Sequence, residues 1–185
     1  MSLNNAHRQL LLDLARSSIV HGLQTGRPLA VNLDDYPEEL KELRATFVTL
    51  EINHQLRGCI GMLEAIRPLV EDIAENAFSA AFRDRRFPPL EARELSELDI
   101  HLSILTPAEP MLFSSELDLL GQLQPGIDGL ILQEGKRRGT FLPSVWESLP
   151  EPEQFLQHLK HKAGLAPDYW SKTLQIYRYT TEIIK

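Results

Sequence analysis

The sequence predicts an α+β fold, a mostly antiparallel sheet flanked by helices. Two observations carry that prediction. Apolar residues recur at helical spacing in three separated segments, and two pairs of β-rich runs are joined by turns short enough only for hairpins. The resulting order is helix, hairpin, helix, strand, hairpin, helix, strand. Hairpins pair their strands antiparallel, which disfavours a doubly wound parallel sheet.

Residues 4–23 form the first predicted helix, with Leu10, Leu11, Leu14, Ala15 and Ile19 on one face. Asn4 or Asn5 can cap it, and Gly22 and Gly26 break the pattern. A loop leads to Asp35, and Pro37 opens a short helical turn through about Leu43. Phe47, Val48, Thr49, Leu50 and Ile52 are β-formers, and Asn53-His54-Gln55 turns the chain back into Leu56–Met62. Pro68 starts a second helix, with Leu69, Ile73, Ala77 and Ala80 on one face, and Phe87-Pro88-Pro89 cannot continue it.

Over residues 98–105, Leu98, Ile100, Leu102 and Ile104 alternate with Asp99, His101, Ser103 and Leu105, the pattern of a half-buried strand that Pro107 halts. Ile127–Gln133 and Arg138–Leu142 flank a Glu134-Gly135-Lys136 turn and give the second hairpin. A helix follows from about Pro152 to Lys162, closed by Gly164, and Thr173–Ile184 reads as a terminal strand. At 185 residues this is one domain over 1–185; a lobe junction would fall near 106–115, where Pro107 and Pro110 interrupt the pattern.

Composition excludes several classes. An apolar fraction of 43% and a charged fraction of 24% are ordinary for a globular chain. No apolar run reaches the roughly 20 residues that span a bilayer, and no export signal opens the sequence. One cysteine cannot close an intramolecular disulfide, so a reducing, cytoplasmic location is expected. The net charge of −7 opposes nucleic acid, despite basic clusters at Arg83, Arg85 and Arg86 and at Lys136, Arg137 and Arg138. No aromatic residues interleave with those clusters to build a stacking platform.

The chemically pointed segment is Leu56-Arg57-Gly58-Cys59-Ile60-Gly61. Simple alternation puts Leu56, Gly58, Ile60 and Met62 on the core side and Arg57, Cys59 and Gly61 on the other. Arg57 would then lie roughly 7 Å from Cys59, a candidate activator biasing a candidate nucleophile toward thiolate. Gly58 and Gly61 carry no side chain, so a ligand or another backbone can approach the cysteine closely. The same features fit a small half-buried residue packed between glycines. His101, beside Asp99 and Ser103, is a weak candidate base, provided its strand neighbours that of Cys59; His54 is the other candidate.

Weaker signals read as structure. His158 and His161 sit three apart on the late helix, but Lys160 and Lys162 repel cations, so a solvated face is expected and no metal. Gly121, Gly126 and Gly129 form no phosphate loop, and no cofactor is expected. Trp146, Phe155, Tyr169 and Trp170 are packing aromatics. Asp84-Arg85-Arg86-Phe87-Pro88-Pro89-Leu90 has two readings: Asp84 and Arg86 grip an anionic ligand, or they form an ion pair stapling a helix end to the sheet.

These segments resemble a known family. Phe47-Val48-Thr49-Leu50, the hexapeptide 56–61, Asp84 through Leu90, Ser103 through Pro107, Gly126 with Asp128-Gly129-Leu130, Phe141-Leu142-Pro143 and Lys162-Ala163-Gly164-Leu165 are similar in order and spacing to the AMMECR domain family. Its bacterial and archaeal members are called AmmeMemoRadiSam system protein A. The resemblance implies two unequal lobes, with the hexapeptide near a cleft between them. It also implies partners, a Memo-like protein and a radical SAM enzyme, but no established reaction. Cys59 and Arg57 match the hexapeptide and Asp84 and Arg86 the Asp-x-Arg-Phe-Pro-Pro motif, whereas His101 and His54 lie outside both. The expectation is a cysteine-containing cleft that binds or processes an unknown small molecule. The rival is a non-catalytic docking module for those partners; a nucleic-acid-associated factor is third.

Overall fold

Asn4 starts the first helix by accepting the His7 N–H at 2.8 Å. In the structure, a computed structural model describing residues 3–185, α1 spans Asn5–Thr25 and ends where Gly26 turns left-handed at φ 70°. The expected break at Gly22 does not occur, because the Phe78 and Phe82 rings occupy the space its missing side chain leaves. The other helices are α2 (Leu69–Phe82), α3 (Glu116–Gln122) and α4 (Pro152–Lys162). The strands are β1 (Thr46–Ile52), β2 (Gln55–Gly61), β3 (Leu98–Leu105), β4 (Glu109–Pro110), β5 (Gly129–Glu134), β6 (Arg137–Phe141), β7 (Gln175–Tyr179) and β8 (Thr181–Ile184).

The chain divides into two compact units, one running to Leu105 and taking in Glu182–Lys185, the other spanning Thr106–Thr181. The first holds a sheet of order β2-β1-β3-β8 and the second a sheet of order β4-β7-β5-β6. The pairings β1–β2, β1–β3, β4–β7, β5–β6 and β5–β7 are all antiparallel, as the two hairpins require. The single terminal strand expected over Thr173–Ile184 is instead two strands broken at Thr180, and each joins a different sheet.

In the first unit, Val48, Leu50, Ile100 and Leu102 face α1 and α2 and bury against Leu11, Leu14, Ile19, Ile73 and Ala77. Asn53 (φ 52°) and His54 (φ 61°) are both left-handed, the two-residue turn whose twist matches its flanking strands. A bulge follows. Leu50 pairs with Gly58 but Glu51 pairs with Leu56, so Arg57 is an extra residue without a partner on β1. This corrects the start of the expected alternation: ahead of Gly58 the bulge reverses its phase, and Leu56 is 43% exposed, not in the core.

Gly58 does face the core, where a β-carbon would collide with the Ala80 carbonyl oxygen of α2 and sit 3.1 Å from its carbon. Backbone cannot swing aside as a side chain can. Gly58→Ala is therefore expected to lower stability by about 2–3 kcal/mol, read from the urea midpoint; an unchanged midpoint would show that α2 can shift.

In the second unit, Leu130, Leu132 and Ile176 pack against Leu156 and Leu159, with Trp146 stacked on Phe155 at 3.7 Å. Gly135 (φ 57°) provides the first position of the β5–β6 turn. The short helix α3, absent from the sequence pattern, is capped by Ser115, whose hydroxyl accepts the Asp118 N–H. His158 and His161 are exposed, as expected, whereas Lys160 between them is fully buried; its ammonium donates to Glu116 at 2.7 Å and to the Pro167 carbonyl at 3.3 Å.

Candidate functional site

Cys59 lies on β2, an edge strand, in register with Thr49 on β1. Counting from the turn, this is a pair without mutual backbone hydrogen bonds, so the Cys59 N–H and C=O point away from the sheet. Edge groups of this kind invite pairing with another chain. Here side chains take them. Asp84 Oδ2 accepts the Cys59 N–H at 2.9 Å, and Arg86 Nη2 donates to the Cys59 carbonyl at 3.2 Å.

The sequence places this clamp by ending α2 at Phe82. The chain turns through Asp84–Phe87, Pro88 and Pro89 stiffen the exit, and the Leu90 N–H returns to the Ala81 carbonyl at 2.8 Å. Asp84 takes the Arg86 Nε on Oδ1 at 2.9 Å and Nη2 on Oδ2 at 2.6 Å, and its side chain is 5% exposed. The hydrogen bond from Arg86 holds the Asp84 carboxyl far below the usual carboxylate range. The Arg86 guanidinium is raised in turn, first by Asp84 and in smaller part by the Cys59 sulfur. This geometry is that of a staple between a helix end and the sheet.

Arg57 does something other than expected. Its guanidinium makes a two-point pair with Glu94, Nε to Oε1 at 2.7 Å and Nη2 to Oε2 at 3.0 Å, with only 13% of the side chain exposed. That pair lowers the Glu94 carboxyl below its ordinary value. Glu94 thus holds Arg57 through Nε and Nη2, while Nη1 is buried without a hydrogen-bond partner among the described residues, and the cation bonded to the Cys59 residue is Arg86. The two glycines are occupied as well. Gly58 receives the α2 backbone and Gly61 the Phe47 ring, so the approach they allow is made by the protein itself.

On the face of the sheet away from the helices, register sets Cys59, Thr49 and His101 in one row across β2, β1 and β3. The Thr49 hydroxyl lies 3.2 Å from the Cys59 sulfur. His101 is two strands from Cys59, about 10 Å at ordinary strand spacing, and Thr49 stands between them. The strand of His101 therefore neighbours β1, not β2. Its imidazole lies 3.9 Å from Glu51, not against Asp99. His54 is an exposed turn residue.

Grooves along the helices, one of 540 Å³ beside Arg16, Val20, His21 and Leu29 and one of 380 Å³ beside Val31, Glu71 and Glu75, contain none of these residues. Among the described residues, no three His, Cys, Asp or Glu side chains are placed to hold a metal ion, and no helix is long and apolar enough to cross a membrane. Thr49 and Glu94 were not singled out from the sequence. A two-residue turn without a bulge would pair Thr49 with Gly58, so only the bulge, which leaves no clear sequence mark, brings Thr49 opposite Cys59.

Comparison with known proteins gives concordant results. The family model described as AMMECR1 matches residues 12–184. A protein of Methanothermobacter thermautotrophicus is 38% identical over 179 residues, covering 94% of this chain and 91% of that one. One from Methanocaldococcus jannaschii is 37% identical over 176 residues, covering 91% and 85%. The crystal structure of an uncharacterized protein from Pyrococcus horikoshii superposes with a TM-score of 0.86 at 36% identity, over 98% of this chain and 92% of that one.

Proposed function

This chain belongs to the AMMECR1 family, and from that premise we propose that it is a substrate-holding component without turnover of its own. A small molecule would rest on the half-buried face of the first sheet away from the helices, against the Cys59 sulfur. It would be held there for partner enzymes, a Memo-like protein and a radical SAM enzyme. One observation carries the preference for holding over turnover. None of the charged or titratable groups near Cys59 is bonded to its sulfur: Arg57 pairs with Glu94 through Nε and Nη2, Arg86 bonds Asp84 and the Cys59 carbonyl, and His101 lies a full strand beyond Thr49.

General-base catalysis needs the base within about 3 Å of its proton, directly or through one water. Among the described residues, the one side-chain group within that distance of the sulfur is the Thr49 hydroxyl. The rival reading, a nucleophilic thiol, draws on the nearness of Arg86 to the Cys59 residue.

Cys59→Ser separates the two. Co-purification with the Memo-like and radical SAM proteins and turnover by the reconstituted set would be measured side by side. The holding role predicts retained association and turnover within about threefold, since one side-chain contact changes by little more than 0.5 kcal/mol. Intact association with abolished turnover would make Cys59 the nucleophile instead.

A further inference from the structure

We infer that Thr49 is the positioning residue of this site: its hydroxyl fixes the direction of the Cys59 sulfur on the half-buried sheet face away from the helices. The inference rests on the reading that this sulfur is the group that meets the ligand. Thr49 and Cys59 form the close type of antiparallel pair, with side chains projecting side by side from adjacent strands. The oxygen–sulfur distance is 3.2 Å, and the sulfur is the one hydrogen-bond partner of Thr49 Oγ1 among the described residues.

In the neutral pair either group can donate, but a thiolate can only accept, so the hydroxyl is the donor once the sulfur is ionised. The backbone on the other side of the pair is equally fixed, since Asp84 and Arg86 hold the Cys59 N–H and C=O. The cysteine is therefore constrained at three points, and among the described residues the Thr49 contact is the one hydrogen bond made to the sulfur itself. Valine has nearly the shape of threonine without the hydroxyl, and serine keeps the hydroxyl without the methyl. Those two substitutions separate a hydrogen-bonding role from a packing role.

The experiment is the second-order rate of iodoacetamide alkylation of Cys59 at one pH where the rate still rises with pH, in wild type, Thr49→Ser and Thr49→Val. The thiolate is the attacking form and loses its charge as the S–C bond forms and iodide leaves. A hydroxyl donating to it raises the thiolate fraction more than it lowers each thiolate's nucleophilicity, so the net effect while the thiol is mostly protonated is a faster rate. Thr49→Ser is expected within about twofold of wild type, and Thr49→Val slower by about three- to tenfold, the worth of one hydrogen bond. Thr49→Ala, which also lacks the hydroxyl, serves in place of a valine variant whose melting curve shows that it does not fold. Equal rates in all the variants would overturn the inference. So would a slowed serine variant beside an unaffected valine variant, because the rate would then follow shape. Failure of the substrate-holding role appears separately, as lost turnover in Cys59→Ser with these alkylation rates still ordered as expected.

Discussion

Replacing Asp72 with alanine is expected to destabilise the first unit by about 3–5 kcal/mol, the cost of breaking a buried ion pair and orphaning its partners. Asp72 is fully buried in the first turn of α2. Its Oδ2 accepts the Thr46 N–H at 3.0 Å, the Thr46 hydroxyl at 2.7 Å and the Asn76 amide at 2.9 Å. Its Oδ1 accepts Nε and Nη2 of Arg67, at 3.1 and 2.8 Å. Five donors thus converge on one carboxylate, tying the start of β1 to α2 and to the loop before it. Alanine leaves the Thr46 amide and hydroxyl without an acceptor in a site closed to water. Arg67 is less affected, because 29% of its side chain reaches solvent. Asp72→Asn should cost less, since one oxygen remains to accept. Urea unfolding followed by circular dichroism gives the change, and a loss under about 1 kcal/mol in the alanine variant would mean that the surroundings rearrange to satisfy Thr46. Both tryptophans lie in the second unit, so their fluorescence reports whether that unit unfolds with the first.

The network around Asp72 illustrates what the sequence could and could not reveal. Local signals were legible. The helical spacing of Leu11, Leu14 and Ile19, the alternation of Leu98 through Ile104, and the turn residues of both hairpins depend on neighbours within a few positions. The α+β class follows from them, as does antiparallel pairing within each hairpin. Pairing between distant segments was not legible. Nothing near Asp72 announces that its partners include Thr46, 26 residues earlier. The same limit applied at the candidate site. The hexapeptide and the Asp84-x-Arg86 segment stood out separately, and the ion-pair staple was one of the two readings of the latter. That the staple closes on the backbone of Cys59 depends on where α2 ends against β2. Arg57 was assigned to Cys59 by strict alternation, and one inserted residue was enough to undo it. A bulge changes side-chain facing without changing composition, so its signature lies in register.

Asp84→Asn should lower stability by about 2–4 kcal/mol at pH 7, and the loss should depend on pH in a defined direction. Asparagine keeps the size and one acceptor oxygen but removes the charge that draws Arg86 and the Cys59 N–H together. The cost falls below that for Asp72 because Arg86 is 57% exposed and can rehydrate. Asp84 is depressed in the folded state, while in the unfolded chain an aspartate titrates near 3.9, as a typical value. A depressed carboxyl contributes fully above its unfolded value, and the contribution is lost as pH falls from there through the folded value. The gap between wild type and Asp84→Asn should therefore stay level from pH 8 to about 5 and narrow below about 4. Glu94 is also lowered, but it binds Arg57 in both proteins and cancels from the difference. A gap that widened on acidification would show that Asp84 is not held ionised by Arg86. Hydrogen exchange supplies the local test, because the Cys59 amide points outward from an edge strand and Asp84 is its acceptor. Its exchange should quicken in Asp84→Asn well before the core amides of β1 change, placing the loss at the clamp and not in the sheet.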